Sequence, residues 1–175
     1  MKLRILVAAL AAFTLAACGQ GQPNNQADVD FASGMAPHHR QAVEMADLVP
    51  DRTDNPRLRS LGERVRAAQQ PEIDALTGWL KRWGAKESAD HSGHAGHGMA
   101  GMMTPQQMTE LKAAKGVGFD KMWLRMMIEH HKGALEMART ELAKGADPEA
   151  KKLAQSITDS QQKEIDEMTA LLAER

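Results

Sequence analysis

The chain has 175 residues, with 22 Lys and Arg against 23 Asp and Glu and a formal charge of −1. That length leaves room for one ordinary domain plus flanking segments, and acidic and basic residues so interspersed make no field that attracts nucleic acid, so a nucleic-acid-binding role is set aside. Ala, Met, Leu, Glu, Lys and Gln are plentiful, aromatic residues make up 3% and Tyr is absent, a composition that predicts an all-α protein.

At the N-terminus Lys2 and Arg4 precede an apolar run from Ile5 to Ala17. The run is shorter than the roughly 18 residues a membrane-spanning helix needs, and residues 1–17 read as a secretory signal peptide. The one cysteine, Cys18, follows Leu15-Ala16-Ala17, which resembles the lipobox of bacterial lipoproteins, where cleavage leaves the cysteine N-terminal and lipid-modified. By the same resemblance, Gly19 rather than Asp after Cys18 favours the outer membrane. The expected location is the periplasmic face of the cell envelope, with membrane contact through the lipid anchor only. Acylated Cys18 leaves no thiol, which excludes disulfides, thiolate metal sites and a Cys nucleophile. Cys18 and the polar residues to position 27 form the lipidated end and its tether.

From Asp28 onward a shift of 92 positions superimposes the chain on itself: "MAPHHRQAVEMA" at 35–46 meets "MIEHHKGALEMA" at 127–138, and "QQPEID" at 69–74 meets "QQKEID" at 161–166. Phe31 meets Trp123, Pro56 meets Pro148 and Leu80 meets Leu172. Two copies of one unit, 28–83 and 120–175, follow from this. Apolar residues recur at helical spacing on both sides of a short break, so each unit reads as a helical hairpin. Pro50 and "DRTDN" are expected to end the first helix and Asn55-Pro56 to start the second, while Gly145 and Asp147-Pro148 do the same in the second copy. Residues 84–118 connect the hairpins, and Thr104-Pro105 starts a short helix in that connection, ending near Gly116. One hairpin alone cannot bury its apolar face, so residues 28–175 are predicted to form a single four-helix bundle with a long crossover.

At about 100° per residue, Asp28, Phe31, Met35, His38, His39, Ala42, Met45 and Ala46 fall on one stripe, with Glu44 opposite. The second helix turns Leu61, Val65, Gln69, Glu72, Leu76 and Leu80 inward, and Gln161 and Glu164 are the counterparts of its two polar members. The middle of the bundle is therefore expected to hold four imidazoles, two carboxamides and two carboxylates. Each polar group buried without a partner costs on the order of 1–3 kcal/mol. Two arrangements relieve that cost. One is a closed His-Gln-Glu hydrogen-bond network that fixes helix register. The other is a metal held by imidazole nitrogens and thioether sulfurs, with Gln69, Glu72, Gln161 and Glu164 around it setting the His tautomers.

The connection adds an independent set of donors, His91, His94, His97, Met99, Met102 and Met103, in a stretch too Gly-rich to pack a core, which points to metal capture. Imidazole with thioether selects soft or borderline ions, hence Cu(I), with Cu(II) on the His-rich part. Zinc suits the histidines but gives the methionines no role, and Mg²⁺ or Ca²⁺ would find too few oxygen ligands.

The paired Met-x-x-His-His-x-x-Ala-x-x-Met-Ala stretches, each followed by Gln-x-x-Glu-Ile, and the phrase "GFDKMWLRMMIEHHKGALEMA" resemble the domain-of-unknown-function 305 family, which includes CopM-like exported copper-binding proteins, over residues 28–175. The resemblance implies a ferritin-like four-helix fold and copper handling. It carries Met35, His38, His39 and Met45, and likewise Met127, His130, His131 and Met137, over as ligands. The expected function is a non-enzymatic envelope lipoprotein that sequesters copper, confers tolerance or passes the metal to an envelope copper-handling partner. Two rivals stand beside it: a ferritin-like dinuclear-metal oxidoreductase using the His pairs with Glu72 and Glu164, and a structural or interaction bundle with a polar core. Against the oxidoreductase, Glu44 and Glu136 point outward, and the Glu-x-x-His spacing of di-iron bundles is missing, since Glu129 directly precedes His130 and Pro37 stands in its place before His38.

Overall fold

The computed structural model describes residues 24–87 and 100–174. Cys18, His91, His94, His97 and Met99 lie outside them. Five helices in chain order make up the described fold: α1 Gln26–Arg52, α2 Pro56–Trp83, α3 Pro105–Ala113, α4 Gly116–Lys144 and α5 Pro148–Ala173. None is long and apolar enough to cross a membrane.

The helix starts are chemical. Asn25 caps α1 in a reciprocal box with Asp28, Asn55 caps α2 ahead of Pro56, Thr104 caps α3 ahead of Pro105, and Asp147 caps α5 ahead of Pro148. Each cap oxygen takes an amide N–H that has no partner inside its own helix. The first stop falls within the expected stretch: α1 continues through Pro50 to Arg52 and closes at Thr53. A proline removes one ladder donor but permits helical φ, and the burial of Val49 (1% exposed) beside it holds the last turn in place. Pro37 also lies inside α1.

α1 packs antiparallel on α2 and, on another side, on α4, which pairs with α5; short α3 rests on α4. α2 and α5 are linked at the surface by the ion pairs Arg57–Glu174, Arg64–Glu167 and Arg82–Glu149. The result is an all-α four-helix bundle.

Its core is split. One apolar cluster gathers Met45, Val49, Leu58, Leu61, Val65, Phe119, Trp123, Met127, Met168 and Leu171, and the other gathers Phe31, Met35, Leu76, Trp79, Leu80, Ala134, Ala138 and Ile157. Along every long helix the sequence between the two clusters carries the polar residues: His38-His39 on α1, Gln69 on α2, His130-His131 on α4 and Gln161 on α5, all buried. At about 1.5–3 kcal/mol for each large apolar side chain, the two clusters hold the bundle together around a layer that does not contribute in that way.

Candidate metal centre

Because α1 and α4 run antiparallel, their His-His pairs meet where the helices cross. All four rings are fully buried. The His38 and His130 ring centroids are 3.7 Å apart with their planes at 37°, and each lies 6.4 Å from the neighbouring ring on its own helix.

The outer rings are held by carboxylates. His39 Nε2 lies 2.7 Å from Glu72 Oε2, and His131 Nε2 lies 2.7 Å from Glu164 Oε2. A carboxylate can only accept, so Nε2–H is the donor in both, and in the neutral ring Nδ1 then carries the lone pair. His38 Nε2 donates to the Ala100 carbonyl at 3.2 Å. Burial first, then the neighbouring His39 and His131, push His38 down to about 3, against the bond to Ala100. Burial, then His38, His131 and His39, hold His130 well below the usual imidazole range, with only the His38 backbone opposing. Both inner rings are therefore neutral at pH 7.

Nδ1 of all four histidines is buried with no hydrogen-bond partner, as is Nε2 of His130. So are both polar ends of Gln69 and the oxygen of Gln161. Buried imidazole nitrogens bearing lone pairs have the donor chemistry of a borderline or soft cation. Among the described residues no three His, Cys, Asp or Glu side chains converge on one point that could hold a metal ion, so coordination needs ring rotation or thioether sulfur as a further ligand. Met35, Met45 and Met127 are fully buried and Met137 is half-buried. Met35 belongs to the Phe31 cluster and Met45 and Met127 to the Trp123 cluster, and Met45 is further fixed because its carbonyl accepts from Trp123 Nε1 at 2.9 Å. Glu44 and Glu136 face solvent.

The end of the crossover reaches this layer. Gly101 adopts φ +80°, and a Cβ at Gly133 would collide with the Ala100 carbonyl, so residues 100–101 lie directly on α4. Gln41 grips the next part with both ends of its side chain, Nε2 to Met103 O at 2.9 Å and Oε1 from Met103 N at 2.6 Å. Met103 itself is 8% exposed and packs in the core cluster, while Met102 is half-buried. Sequence reasoning did not single out Gln41, Ala100 or Gly133. Gly133 does stand opposite Gln41 under the 92-residue shift, one of several mismatches between the two stretches.

The sequence placed Asp28 on the inward stripe but not its neighbour Glu141. Asp28 accepts from Asn25, Ala146 and Asp147 backbone N–H groups. Burial raises its carboxyl, but those donors and Glu141 outweigh it and leave it below the usual range. Glu141 is fully buried, and neither of its oxygens receives a hydrogen bond. Burial, then the bond to Asp28 and its charge, push Glu141 up to about 8 against the pull of Lys151. Glu141 is thus a neutral acid at pH 7 that donates to Asp28.

The family described as "Domain of unknown function (DUF305)" matches residues 28–172. A solved DUF305 protein from Streptomyces coelicolor is 36% identical, with a TM-score of 0.77 over 85% of this chain and 91% of that one. The Cu(II)-bound form of CopM is 31% identical, with a TM-score of 0.74 over 84% of this chain and 96% of its own, and CopM structures in Cu(I)-bound and Ag-bound forms are also similar. Protein L153 of Acanthamoeba polyphaga mimivirus, which is uncharacterised, is 45% identical over 56 residues, a stretch that spans 37% of its length.

Proposed function

This chain belongs to the DUF305 family, and from that premise we propose that it is an exported copper-binding protein that sequesters the metal or hands it on in the cell envelope. The observation that carries the reading is the set of four buried histidines whose Nδ1 atoms have no partner. A network built only to fix register would close its hydrogen bonds, because each open one costs on the order of 1–3 kcal/mol. Glu72 and Glu164 support it by orienting the outer rings, the arrangement that a metal-ligating imidazole ordinarily has. The copper- and silver-bound forms of CopM support the choice of ion. We assign as ligands His38, His39, His130 and His131, with thioether sulfur drawn from Met35, Met45, Met127 and Met137. His91, His94, His97, Met99, Met102 and Met103 form a separate set that binds more weakly. The N-terminal sequence supports export and a lipid anchor at Cys18.

The test is metal analysis of untagged protein purified from an envelope fraction without added metal, beside a variant with His38, His39, His130 and His131 changed to Gln. Copper bound by the natural protein and lost from the folded variant supports the reading; zinc in place of copper, or an equal copper content in both, overturns it.

The second reading is a purely structural polar layer, which the failure of three ligands to converge favours. It expects the Gln variant to be less stable than the natural protein and copper to have no effect on either.

A further inference from the structure

Under the 92-residue shift α1 and α4 keep their His pairs and Glu-Met-Ala in common and differ at many other positions, four of which fall together in space. Ala27, Asp30, Thr140 and Glu141 answer to Phe119, Met122, Leu48 and Val49. Phe119 and Val49 are core residues at 0% and 1% exposure, and Leu48 and Met122 pack against the same cluster. Where those four fill space, their counterparts leave a cleft of about 520 Å³ between α1 and α4. Phe31, Met137 and Glu141 line it, together with the rim charges Asp30, Glu136 and Lys144 and with Ala100. Met137 is half-buried there, while its counterpart Met45 is fully buried.

At these four positions small and polar residues stand where the other side of the bundle packs apolar ones. Ala100 gives the cleft its connection to the metal centre, since it lines the cleft and its carbonyl accepts from His38. The four rings have no exposure of their own, so an ion has to reach them through a wall. Glu141 supplies a fully buried carboxyl in that wall with no donor on either oxygen.

We infer that this cleft is the port through which a soft monovalent cation, Cu(I) or Ag(I), reaches His38 and His130. Asp30 and Glu136 concentrate the ion at the rim, and the Met137 sulfur is the first soft ligand it meets. The inference rests on the proposed copper-binding function. A half-exposed thioether suits transit because it binds a soft ion without needing a proton to leave, and rim carboxylates raise the rate of capture more than its final strength.

The experiment is rapid-mixing uptake of Ag(I), read by competition with a chromophoric chelator. It uses the full chain with His91, His94, His97 and Met99 replaced by Ser so that their binding does not add. Ala27→Phe with Thr140→Leu rebuilds the apolar packing of the other side, and Asp30→Asn with Glu136→Gln removes the rim charge. Each pair is expected to slow uptake by about tenfold or more with the final stoichiometry unchanged, and Glu44→Gln, the counterpart of the Glu136 change, is expected to leave the rate alone. Met137→Leu is expected to slow uptake likewise. Unchanged rates in both paired variants overturn the port, as does a Met137→Leu protein that takes up Ag(I) at the normal rate but holds less of it. If the parent chain binds no Ag(I), the copper-binding function itself has failed, which is a different result.

Discussion

Glu141 and the inner histidines give the protein opposing responses to pH. Glu141 is raised to about 8 from an ordinary 4.5, so the folded state keeps a proton that the unfolded chain gives up. Its contribution is complete below pH 4.5 and is lost as pH rises towards 8, at no more than about 1.4 kcal/mol per pH unit. Glu141→Gln keeps a donor for Asp28 and cannot ionise. It should remove that slope and be the more stable protein in urea at pH 8; a difference in midpoint between Glu141→Gln and the natural protein that is the same at pH 5 and pH 8 would contradict the assignment. His38 and His130 act in the other sense. Both are depressed below 6.5, His38 to about 3, so the unfolded chain binds protons that the folded state refuses. Their contribution is complete above pH 6.5 and is lost as pH falls towards 3. In metal-free protein, changing both to Gln should flatten the acid limb by at most about 2.7 kcal/mol per pH unit, read as the difference in urea midpoint between variant and natural protein. An unaltered acid limb would mean that the two rings titrate normally.

The element on which the site depends and which the sequence concealed is the four-residue crossing 100–103. Periodicity finds helices because burial repeats every 3.6 residues, but it has nothing to register in a short irregular segment whose position is set by one missing Cβ and one side-chain amide. Gly133 reads in sequence as a weak point in a helix, whereas its role is to let the Ala100 carbonyl lie against α4. Gly133→Ala should therefore destabilise the protein by about 1–3 kcal/mol, the usual range for overpacking, although alanine in a helix interior is otherwise favoured over glycine by about 1 kcal/mol. A urea midpoint at or above that of the natural protein would show that the crossing moves aside freely. Helix starts were legible for the opposite reason: Asn55-Pro56, Thr104-Pro105 and Asp147-Pro148 each act within a few residues of themselves. The first stop was legible to within a few residues: the helix runs on past Pro50, beside the buried Val49, and ends inside the expected 51–55 stretch.

At the scale of the whole molecule, the stripe of apolar residues and the shift between the two halves made the all-α bundle and the burial of the His pairs readable in advance. The same arithmetic placed Gln69, Glu72, Gln161 and Glu164 at the level of the histidines. It could not tell that Glu72 and Glu164 bond the outer rings while the inner rings meet each other, because both pairs share one stripe and only the crossing of α1 over α4 separates their surroundings. Nor could it find the contact between Asp28 and Glu141, which depends on the two ends of α1 and α4 meeting. If copper binds within the polar layer, it should stabilise the fold by about 2.7 kcal/mol when free metal exceeds the dissociation constant a hundredfold. For a domain of this size that is a Tm rise on the order of 5–10 °C. Calorimetry with and without Cu(I), in a chain whose His91, His94, His97 and Met99 are replaced by Ser, measures it; identical melting curves would confine copper to the crossover ligands.

The protein also carries its own optical reporter. With Tyr absent and three tryptophans in the chain, its near-ultraviolet emission comes from indole alone. Trp79 and Trp83 stack together at the end of α2 with centroids 6.0 Å apart, while Trp123 is sealed in the core with its N–H on the Met45 carbonyl of the facing helix. Any slip of α1 along α4 therefore breaks a hydrogen bond to a buried chromophore, and opening of the centre is expected to shift emission to the red without an attached dye.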